Sequence, residues 1–267
     1  MKLAVAGALT VLAVAGFGAL AQPFDPHAVD LANTFAGPSR THPLGTDHLG
    51  RDLASRILAG AAPSLVAVVI ALAATLGLGV AAGLAIVMGS GITRVAVQRA
   101  AEVVLAIPTL IVALVLGALL GAGPETVGLA LAVTAWAPYA LATAGLTERV
   151  MAEPYWAATV AMGAPRHQAA LRHILPNLAR PLRALAGADA GRAVILVASL
   201  GFLGLSADTG RPDWGSMIHE YRLHAYERPL LLAAPIVAVA VLSLALHYAL
   251  DRSEADPRYG RRPDRWL

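Results

Sequence analysis

The chain has 267 residues, of which 57% are hydrophobic and only 14% are charged, with a formal net charge of +3. A typical soluble domain carries about 25% charged residues, so this composition favours a membrane protein. Cysteine is absent and Lys2 is the single lysine, which excludes disulfide frameworks, thiolate sites and a P-loop ATPase on this chain.

Runs without charged residues indicate six membrane spans, because crossing a bilayer takes about 20 mostly apolar residues. The predicted spans cover residues 3–21, 57–93 (core 64–88), 103–124, 126–147, 184–205 and 229–250. The fifth is apolar except for Asp189 and Arg192. The pattern predicts an all-α fold, a polytopic membrane helix bundle.

The first run also fits a cleavable signal peptide, since Lys2 precedes it and Ala19-Leu20-Ala21 ends it. The run is nineteen residues long, which is more than a signal core needs and enough for a span. We therefore expect residues 1–22 to form an uncleaved first helix or signal-anchor.

The positive-inside rule sets the orientation of the bundle. With the N-terminus in the cytoplasm, 13 Lys and Arg residues lie inside and six lie outside. The chain is therefore predicted to be N-in and C-in. The extracytoplasmic segment is then 23–60, the membrane core 61–250 with an inner loop at 148–183, and the cytoplasmic tail 251–267.

Small residues and prolines inside the spans indicate how the helices pack. Gly79 and Gly83 are four residues apart, which lets two helices approach closely. Pro108, Pro138 and Pro235 fall within spans, where proline kinks a helix and frees a backbone carbonyl. Both features are typical of membrane bundles and identify no particular activity.

The inner loop contains the most informative local pattern. Pro154 suits the first position of a short helix, and Gly163 suits its end. Pro165 opens a second short helix that is predicted to end at residues 174–177. The result is a compact elbow with an alanine-rich face and a basic flank, which suits either the groove of another protein or a lipid surface.

The outer segment before the second span mixes opposite charges with glycine. Its candidate residues are Gly45, Thr46, Asp47, Gly50, Arg51, Asp52 and Arg56. They suit part of a docking surface or a cap over a path through the bundle. The alternative is a self-paired turn at the membrane surface, because exposed charge runs are usually solvated.

Two charged residues inside the fifth span need a partner or a function. Asp189 and Arg192 are three residues apart on one helix face and can pair. A lone charge at the bilayer centre costs about 2.5–3.5 kcal/mol on insertion scales. They either line a path through the bundle or form a neutralising pair near the cytoplasmic end.

Histidines of the outer segments raise the question of a metal site. They are His27, His42, His48, His219 and His224. No two of them have a recognised ligand spacing, so we expect ordinary loop histidines and no metal site.

Three motifs in chain order resemble the ABC importer permeases of the dipeptide/oligopeptide/nickel family. Ala157-Ala158-Thr159, Gly163 and Leu175-Pro176 are similar to the EAA loop, although Ala157 replaces its glutamate. Residues 43–56 are similar to the family's outer-loop signature, and residues 201–205 with 212–215 to its fifth-span exit. Arg99 and Pro108 match the third span, with Glu102 where an aspartate is usual.

The resemblance implies the type I ABC importer permease fold and a place in the bacterial inner membrane. It implies two ATPase subunits, a second homologous permease (a heterodimer) and an external substrate-binding protein; lipid surrounds the bundle, and no nucleic acid is involved. ATP would be used by the partners, with no cofactor and no catalytic residue on this chain. The expected ATPase-coupling residues are Glu153, Tyr155, Trp156, Ala157, Ala158, Thr159, Gly163, Arg166, Arg172, His173 and Pro176, and the expected path-lining residues are Glu102, Asp189 and Arg192.

The cargo stays open among di- and oligopeptides, nickel or nickel chelates, and opine-like metallophores. Two other classes compete with the importer. An intramembrane aspartyl enzyme would have to use Glu102 and Asp189, which both lie near the inner ends of their spans. A secondary transporter would show matched interrupted helices in two inverted halves, which the sequence does not display.

Overall fold

The computed structural model describes residues 22–121, 123–205 and 212–251. Within these residues the regular structure is helical, apart from an isolated bridge between Thr46 and Asp52. This confirms the all-α prediction for the described part. The predicted first span at 3–21 and the tail from residue 252 lie outside the described residues.

The helices follow one another with short connections. In chain order they are α1 (Leu53–Met88), α2 (Gly91–Ala106), α3 (Thr109–Leu120), α4 (Pro124–Met151), α5 (Pro154–Ala161), α6 (Arg166–Ala169), α7 (Leu175–Phe202), α8 (Trp214–Tyr221) and α9 (Pro229–Asp251). A π-helical turn at Ala170–Ile174 joins α6 to α7 without a break, and short 3₁₀ turns lie at Leu31–Asn33 and Arg222–His224.

Four helices of the described part are long and apolar enough to cross a membrane. They cover Leu53–Met88, Glu125–Met151, Arg166–Phe202 and Pro229–Tyr248. The pair α2 and α3 adds a fifth crossing if it counts as one bent span. The core of the second predicted span (64–88) and the fourth and sixth predicted spans therefore each fall within a long helix, and the fifth does so up to Phe202. The second predicted span extends past the end of its helix at Met88. The six-span count and the N-in, C-in orientation stay predictions.

The third predicted span is not one helix over 103–124. The chain bends by 94° between α2 and α3, at Ile107 and Pro108. Proline disfavours helical geometry in the residue before it, and Ile107 has extended dihedral angles (φ −97°, ψ 127°). The α3 part alone is about 18 Å long at 1.5 Å per residue, too short to cross the hydrocarbon core by itself.

The bundle is built on two close helix pairs. The helices α1 and α4 run in parallel, and a Cβ added to Gly79 or Gly83 would overlap Tyr139 or Thr143 of α4. The helices α7 and α9 run antiparallel, and the Ser243 hydroxyl donates to the Gly191 carbonyl at 3.0 Å. Small residues at these contacts let the helix backbones approach closely, as the sequence predicts.

Segments predicted to share a side of the membrane contact one another. The first predicted outer segment meets α8 through the Arg56 guanidinium and the Tyr221 hydroxyl, 2.9 Å apart. At the opposite end of the bundle, Arg94 after α1 lies 3.5 Å from Glu148 near the end of α4. The two ends of the bundle are therefore distinct, which is the arrangement that the predicted topology requires.

Candidate functional site

The elbow, residues 153–177, begins as the sequence predicts. Pro154 stands in the first turn of α5, where its missing N–H leaves no hydrogen bond unmade. The helix ends at Ala161, and Gly163 follows with φ +84°, the left-handed conformation that glycine adopts without strain. Proline and glycine therefore fix the length of α5.

One side of α5 is anchored in the bundle and the other is exposed. Trp156 is buried and packs in a cluster with Ile174 and Leu178. Ala157 and Ala158 are exposed. The small exposed side chains leave the α5 backbone accessible to another protein, while the buried indole holds the helix in place.

Further contacts tie α5 to the helix that follows. The Thr159 hydroxyl donates to the Tyr155 carbonyl at 2.8 Å and lies 3.4 Å from Nε2 of His173. The Tyr155 and His173 rings are 5.8 Å apart between centroids. The two arms of the elbow therefore contact each other, and α5 is not a free loop.

The second arm of the elbow does not end at residues 174–177, so that expectation was wrong. A continuous helix runs from Arg166 through the π-turn to Phe202. In the π-turn the Leu175 N–H donates to the Ala170 carbonyl. This wider turn lies immediately before Pro176 and accommodates a ring that would otherwise crowd the preceding carbonyls.

The remaining predicted residues of the elbow lie on its surface. Glu153 is the N-cap residue of α5 and is exposed, although its side chain makes no capping hydrogen bond. Arg166, Arg172 and Pro176 are also exposed, on the continuous helix. The predicted elbow residues are therefore mostly exposed, and Trp156 is their buried anchor.

The outer segment is built around the buried carboxylate of Asp47, which has no exposed surface. It accepts hydrogen bonds from the backbone N–H groups of Leu49 (2.8 Å) and Arg51 (3.0 Å). It also accepts from Nε of Arg51 (2.7 Å) and from the Tyr221 hydroxyl (3.1 Å). A buried charge is tolerated only when it is paired and hydrogen-bonded, and Asp47 meets both conditions.

Two partners of this network come from far along the chain and were not predicted from the sequence. Glu220 accepts from both Arg51 and Arg56, and Tyr221 accepts from Arg56. We call Asp47, Arg51, Arg56, Glu220 and Tyr221 the outer clamp. The charges of the first outer segment are therefore paired, as the alternative of a self-paired turn expects. The pairs are buried, however, and they join this segment to the second outer segment.

Electrostatics within the outer clamp follow from its burial. Burial raises the pKa of the Tyr221 phenol above its usual value, so the hydroxyl stays protonated and can donate to Asp47. Burial by itself lowers the pKa of Arg51, but the contacts with Glu220 and Asp47 outweigh it and raise that pKa. The clamp thus keeps both groups in the protonated forms that its hydrogen bonds need.

The other outer-loop residues shape the backbone around the clamp. Asp52 caps α1 by accepting from the Ser55 N–H at 2.8 Å, and Nδ1 of His42 lies 2.9 Å from its carboxylate. Gly45 (φ +79°) and Gly50 (φ +74°) have left-handed conformations. The Thr46 hydroxyl, which is buried, accepts from the Ala36 N–H at 2.8 Å.

A cavity of about 350 Å³ lies between α1, the α2–α3 bend, α4 and α7. Asp189 and Arg192 line it, with 3.9 Å between the guanidinium Nη1 and the carboxylate, so the predicted i,i+3 pair forms. Tyr139 of α4 lines the same cavity beside Asp189. Glu102 is not among its lining residues and pairs with Arg99 on the exposed surface of α2 at 2.7 Å.

The described residues contain no group of three His, Cys, Asp or Glu side chains that could hold a metal ion. His48 stacks on His224 with ring centroids 5.4 Å apart and lies 3.4 Å from Glu220. These outer histidines therefore contribute to the packing around the clamp.

Comparisons with known proteins agree with the sequence motifs. Residues 73–258 match the model of the family described as binding-protein-dependent transport system inner membrane component. The chain is 32% identical to the nickel transport system permease protein NikC of Escherichia coli (strain K12), over 88% of this chain and 86% of that protein.

Two further relatives cover most of the chain. One is the metal-staphylopine import system permease protein CntC of Staphylococcus aureus (strain NCTC 8325 / PS 47), 30% identical over 94% of this chain and 89% of that protein. The other is the probable D,D-dipeptide transport system permease protein DdpC of Escherichia coli (strain K12), 34% identical over 88% and 80%. These relatives are transport permeases, so they give no support to the intramembrane enzyme or to the secondary transporter.

Proposed function

The chain belongs to the family of binding-protein-dependent transport system inner membrane components, the ABC importer permeases, and on this premise we propose how it couples ATP hydrolysis to transport. We infer that the elbow is the docking point for an ATPase subunit. We also infer that the cavity beside Asp189 and Arg192 is part of the path for the cargo.

The observation that supports this proposal most strongly is the continuous helix Arg166–Phe202, which contributes residues to both the elbow and the cavity. The elbow residues Arg172 and His173 lie near its start, and Asp189 and Arg192 follow on the same helix. The distance along the axis from His173 to Asp189 is about 24 Å at 1.5 Å per residue. A displacement imposed on the elbow therefore reaches the cavity through one continuous helix, which contains Pro181 between the two sites.

The mechanism follows from the continuity of this helix. Two ATPase subunits closing on ATP would move the docked elbow, and α7 would shift against α4 and the α2–α3 bend. The cavity lies among these elements, so its shape and access would change with the nucleotide state. A flexible loop at the elbow would dissipate the movement, whereas the buried Trp156 and the contacts of Thr159 keep α5 attached.

The partners and the cargo are proposed from the family. We propose a second, homologous permease that completes the path as a heterodimer, and an external binding protein that delivers the cargo to the outer side. The named cargoes of the relatives are nickel, metal-staphylopine and D,D-dipeptides. A peptide or a metal chelate is therefore the proposed cargo class here.

A charge added to the exposed alanine face tests the docking role. We expect Ala158→Arg to reduce co-purification of the ATPase subunits and ATP-driven uptake at least tenfold, because Ala158 is exposed and a long cation prevents close approach to the α5 backbone. The measurement is pull-down of the assembled importer from membranes, with uptake of radiolabelled cargo in the same cells.

The matched control is Ile92→Arg, which adds the same charge at an 85%-exposed position at the start of α2, outside the elbow. It should assemble and transport normally. Normal ATPase association and uptake in Ala158→Arg, at normal membrane levels, would contradict the docking role.

A further inference from the structure

The cavity wall offers more hydrogen-bond acceptors than its own side chains use. The Tyr139 hydroxyl is buried and has no partner within hydrogen-bond distance among the described residues, and it interacts with the Asp189 carboxylate only at a longer separation. A neutral phenol can donate to a carboxylate and accept from another donor at the same time. An unpaired buried hydroxyl is costly, so its place in a cavity wall points to a ligand.

The Asp189 carboxylate is only loosely paired with Arg192. The 3.9 Å separation exceeds hydrogen-bond distance, and the Arg192 side chain is 73% exposed against 32% for Asp189. The guanidinium is therefore largely exposed at the edge of the cavity and leaves acceptor sites on the carboxylate free. Arg192 neutralises Asp189 when the cavity is empty and can be displaced without a large loss of interaction energy.

Backbone carbonyls add to the acceptors of this wall. Pro138 has no N–H to donate to the Thr134 carbonyl one turn earlier, and both residues line the cavity. The last turn of α2, which ends at Ala106, also reaches the cavity. The carbonyls of a last helical turn lack i+4 helical donors and carry partial negative charge, although here the Val104 carbonyl accepts from the Ile107 N–H at 3.3 Å.

We propose that this cavity binds the protonated amine of the cargo during transport, with Asp189 as the counter-ion and the Tyr139 hydroxyl and Thr134 carbonyl as additional acceptors. The inference rests on the proposed function and specifies the chemistry that the path recognises. The amine replaces the Arg192 guanidinium as the partner of Asp189. Binding through an exchange of partners is weak, which suits a site that must also release the cargo.

A bare divalent metal ion fits this cavity less well than an ammonium group. Among its lining residues Asp189 is the single carboxylate, and no histidine or glutamate joins it. Zinc usually takes four ligands and calcium six to eight, and several of them are usually protein side chains. An ammonium group has three donors, which match one carboxylate, one hydroxyl and one carbonyl.

The experiment uses the cysteine-free sequence. Ala193→Cys places a thiol on the cavity wall, and the assembled importer in membrane vesicles is labelled with a maleimide. The probes are dialanine, which has a protonated amine, N-acetyl-dialanine, which lacks it and keeps the carboxylate, and nickel chloride. We expect dialanine to slow labelling of this chain several-fold and the other two probes to leave the rate unchanged.

Variants assign the effect to the wall residues. In the same cysteine background, Asp189→Asn should abolish protection by dialanine, and Tyr139→Phe should weaken it. If Asp189→Asn does not assemble, Asp189→Glu, which keeps the charge, should assemble and retain protection. The control is Glu125→Gln, which removes a carboxylate in the first turn of α4, away from the cavity, and should retain full protection.

Four outcomes would overturn the inference: equal protection by dialanine and N-acetyl-dialanine, protection that survives Asp189→Asn, protection by nickel chloride alone, or no protection by any probe. ATP addition in the same vesicles separates this inference from the proposed function. A labelling rate that changes with ATP but not with dialanine would refute the amine site and leave the coupling role standing. A rate that does not change with ATP would count against the coupling role itself.

Discussion

Asp47 illustrates how one residue holds two distant segments together. Its carboxylate is completely buried, and its partners include Arg51 four residues later and Tyr221 on α8. Removing one charge from a buried, paired network leaves the other charges uncompensated, which costs about 3–5 kcal/mol. The outer clamp is therefore expected to set the stability of the outer side of the bundle.

The substitution Asp47→Asn tests this expectation. We expect Asp47→Asn to lower the free energy of unfolding by about 3 kcal/mol. This is the lower end of that range, because Glu220 still accepts hydrogen bonds from Arg51 and Arg56. The measurement is the thermal unfolding temperature of the purified importer in detergent. The control Asp25→Asn changes an exposed carboxylate that accepts a hydrogen bond from the nearby His27 N–H, and it should leave the temperature nearly unchanged. Equal effects of the two substitutions on the unfolding temperature would contradict a stabilising role for the outer clamp.

We expect His48, which lies beside the outer clamp, to make the stability of the folded protein depend on pH. Burial lowers its pKa below the ordinary 6.5, although Asp47 and Glu220 oppose that shift; Arg51 and His224 add to it. The folded protein thus binds this proton less readily than the unfolded chain does. The stabilising contribution of neutral His48 is therefore complete above pH 6.5 and is lost as the pH falls below that value.

We therefore expect the unfolding temperature of the importer to fall between pH 7.5 and pH 5.5, and to fall less in His48→Gln. His27→Gln, at an exposed histidine, serves as the control and should keep the pH dependence of the unchanged chain. An identical pH dependence in His48→Gln would show that other groups cause it.

At the scale of elements, the sequence predicted the beginnings of helices better than their ends. Pro154 and Gly163 set the limits of α5 through local backbone geometry, so their pattern is readable without tertiary contacts. Pro176 suggested a stop, but the π-turn before it lets the helix continue. That outcome depends on packing of the buried Ile174 and Leu178, which no local pattern reports.

The bend between α2 and α3 is a second feature that the sequence predicted only in part. Pro108 predicted a kink, and the structure has a 94° turn. The propensity of Ile107 for extended geometry explains why the helix stops there. The size of the angle follows from how α3 packs against α4, so the sequence alone could not predict it.

Breaking the continuous helix Arg166–Phe202 between the elbow and the cavity should uncouple ATP hydrolysis from transport. This stretch already accommodates Pro181, and a further proline inside a helix costs about 3 kcal/mol and adds a kink. Ala184→Pro lies between His173 and Asp189 and is expected to retain ATPase association but to lose most uptake. The measurement is ATP hydrolysis and uptake in the same vesicles. Ala184→Ser, with a small side chain at the same position, should keep both activities. Full uptake in the proline variant would contradict transmission of the movement from the elbow to the cavity through this helix.

At the scale of the whole molecule, the sequence predicted the membrane class, the family and most spans. It did not predict that Glu220 and Tyr221 join the outer segment, because these contacts are 164 to 174 residues apart in the chain. The composition of a loop reports its charges and not its partners. The same limit applies to the cavity, where Tyr139 and Asp189 come from different helices.

The proposed coupling requires an elbow that faces the cytoplasm and is held there by an ATPase. The most direct measurement is a cross-link from Ala158→Cys, which would be the single cysteine of this chain, to the ATPase subunits in native membranes. We predict a specific cross-link to an ATPase subunit, together with modification by a membrane-impermeant reagent in inside-out vesicles only. Modification from the outer side of intact cells, or an accessible thiol that forms no such cross-link, would contradict the proposed docking of an ATPase on the elbow.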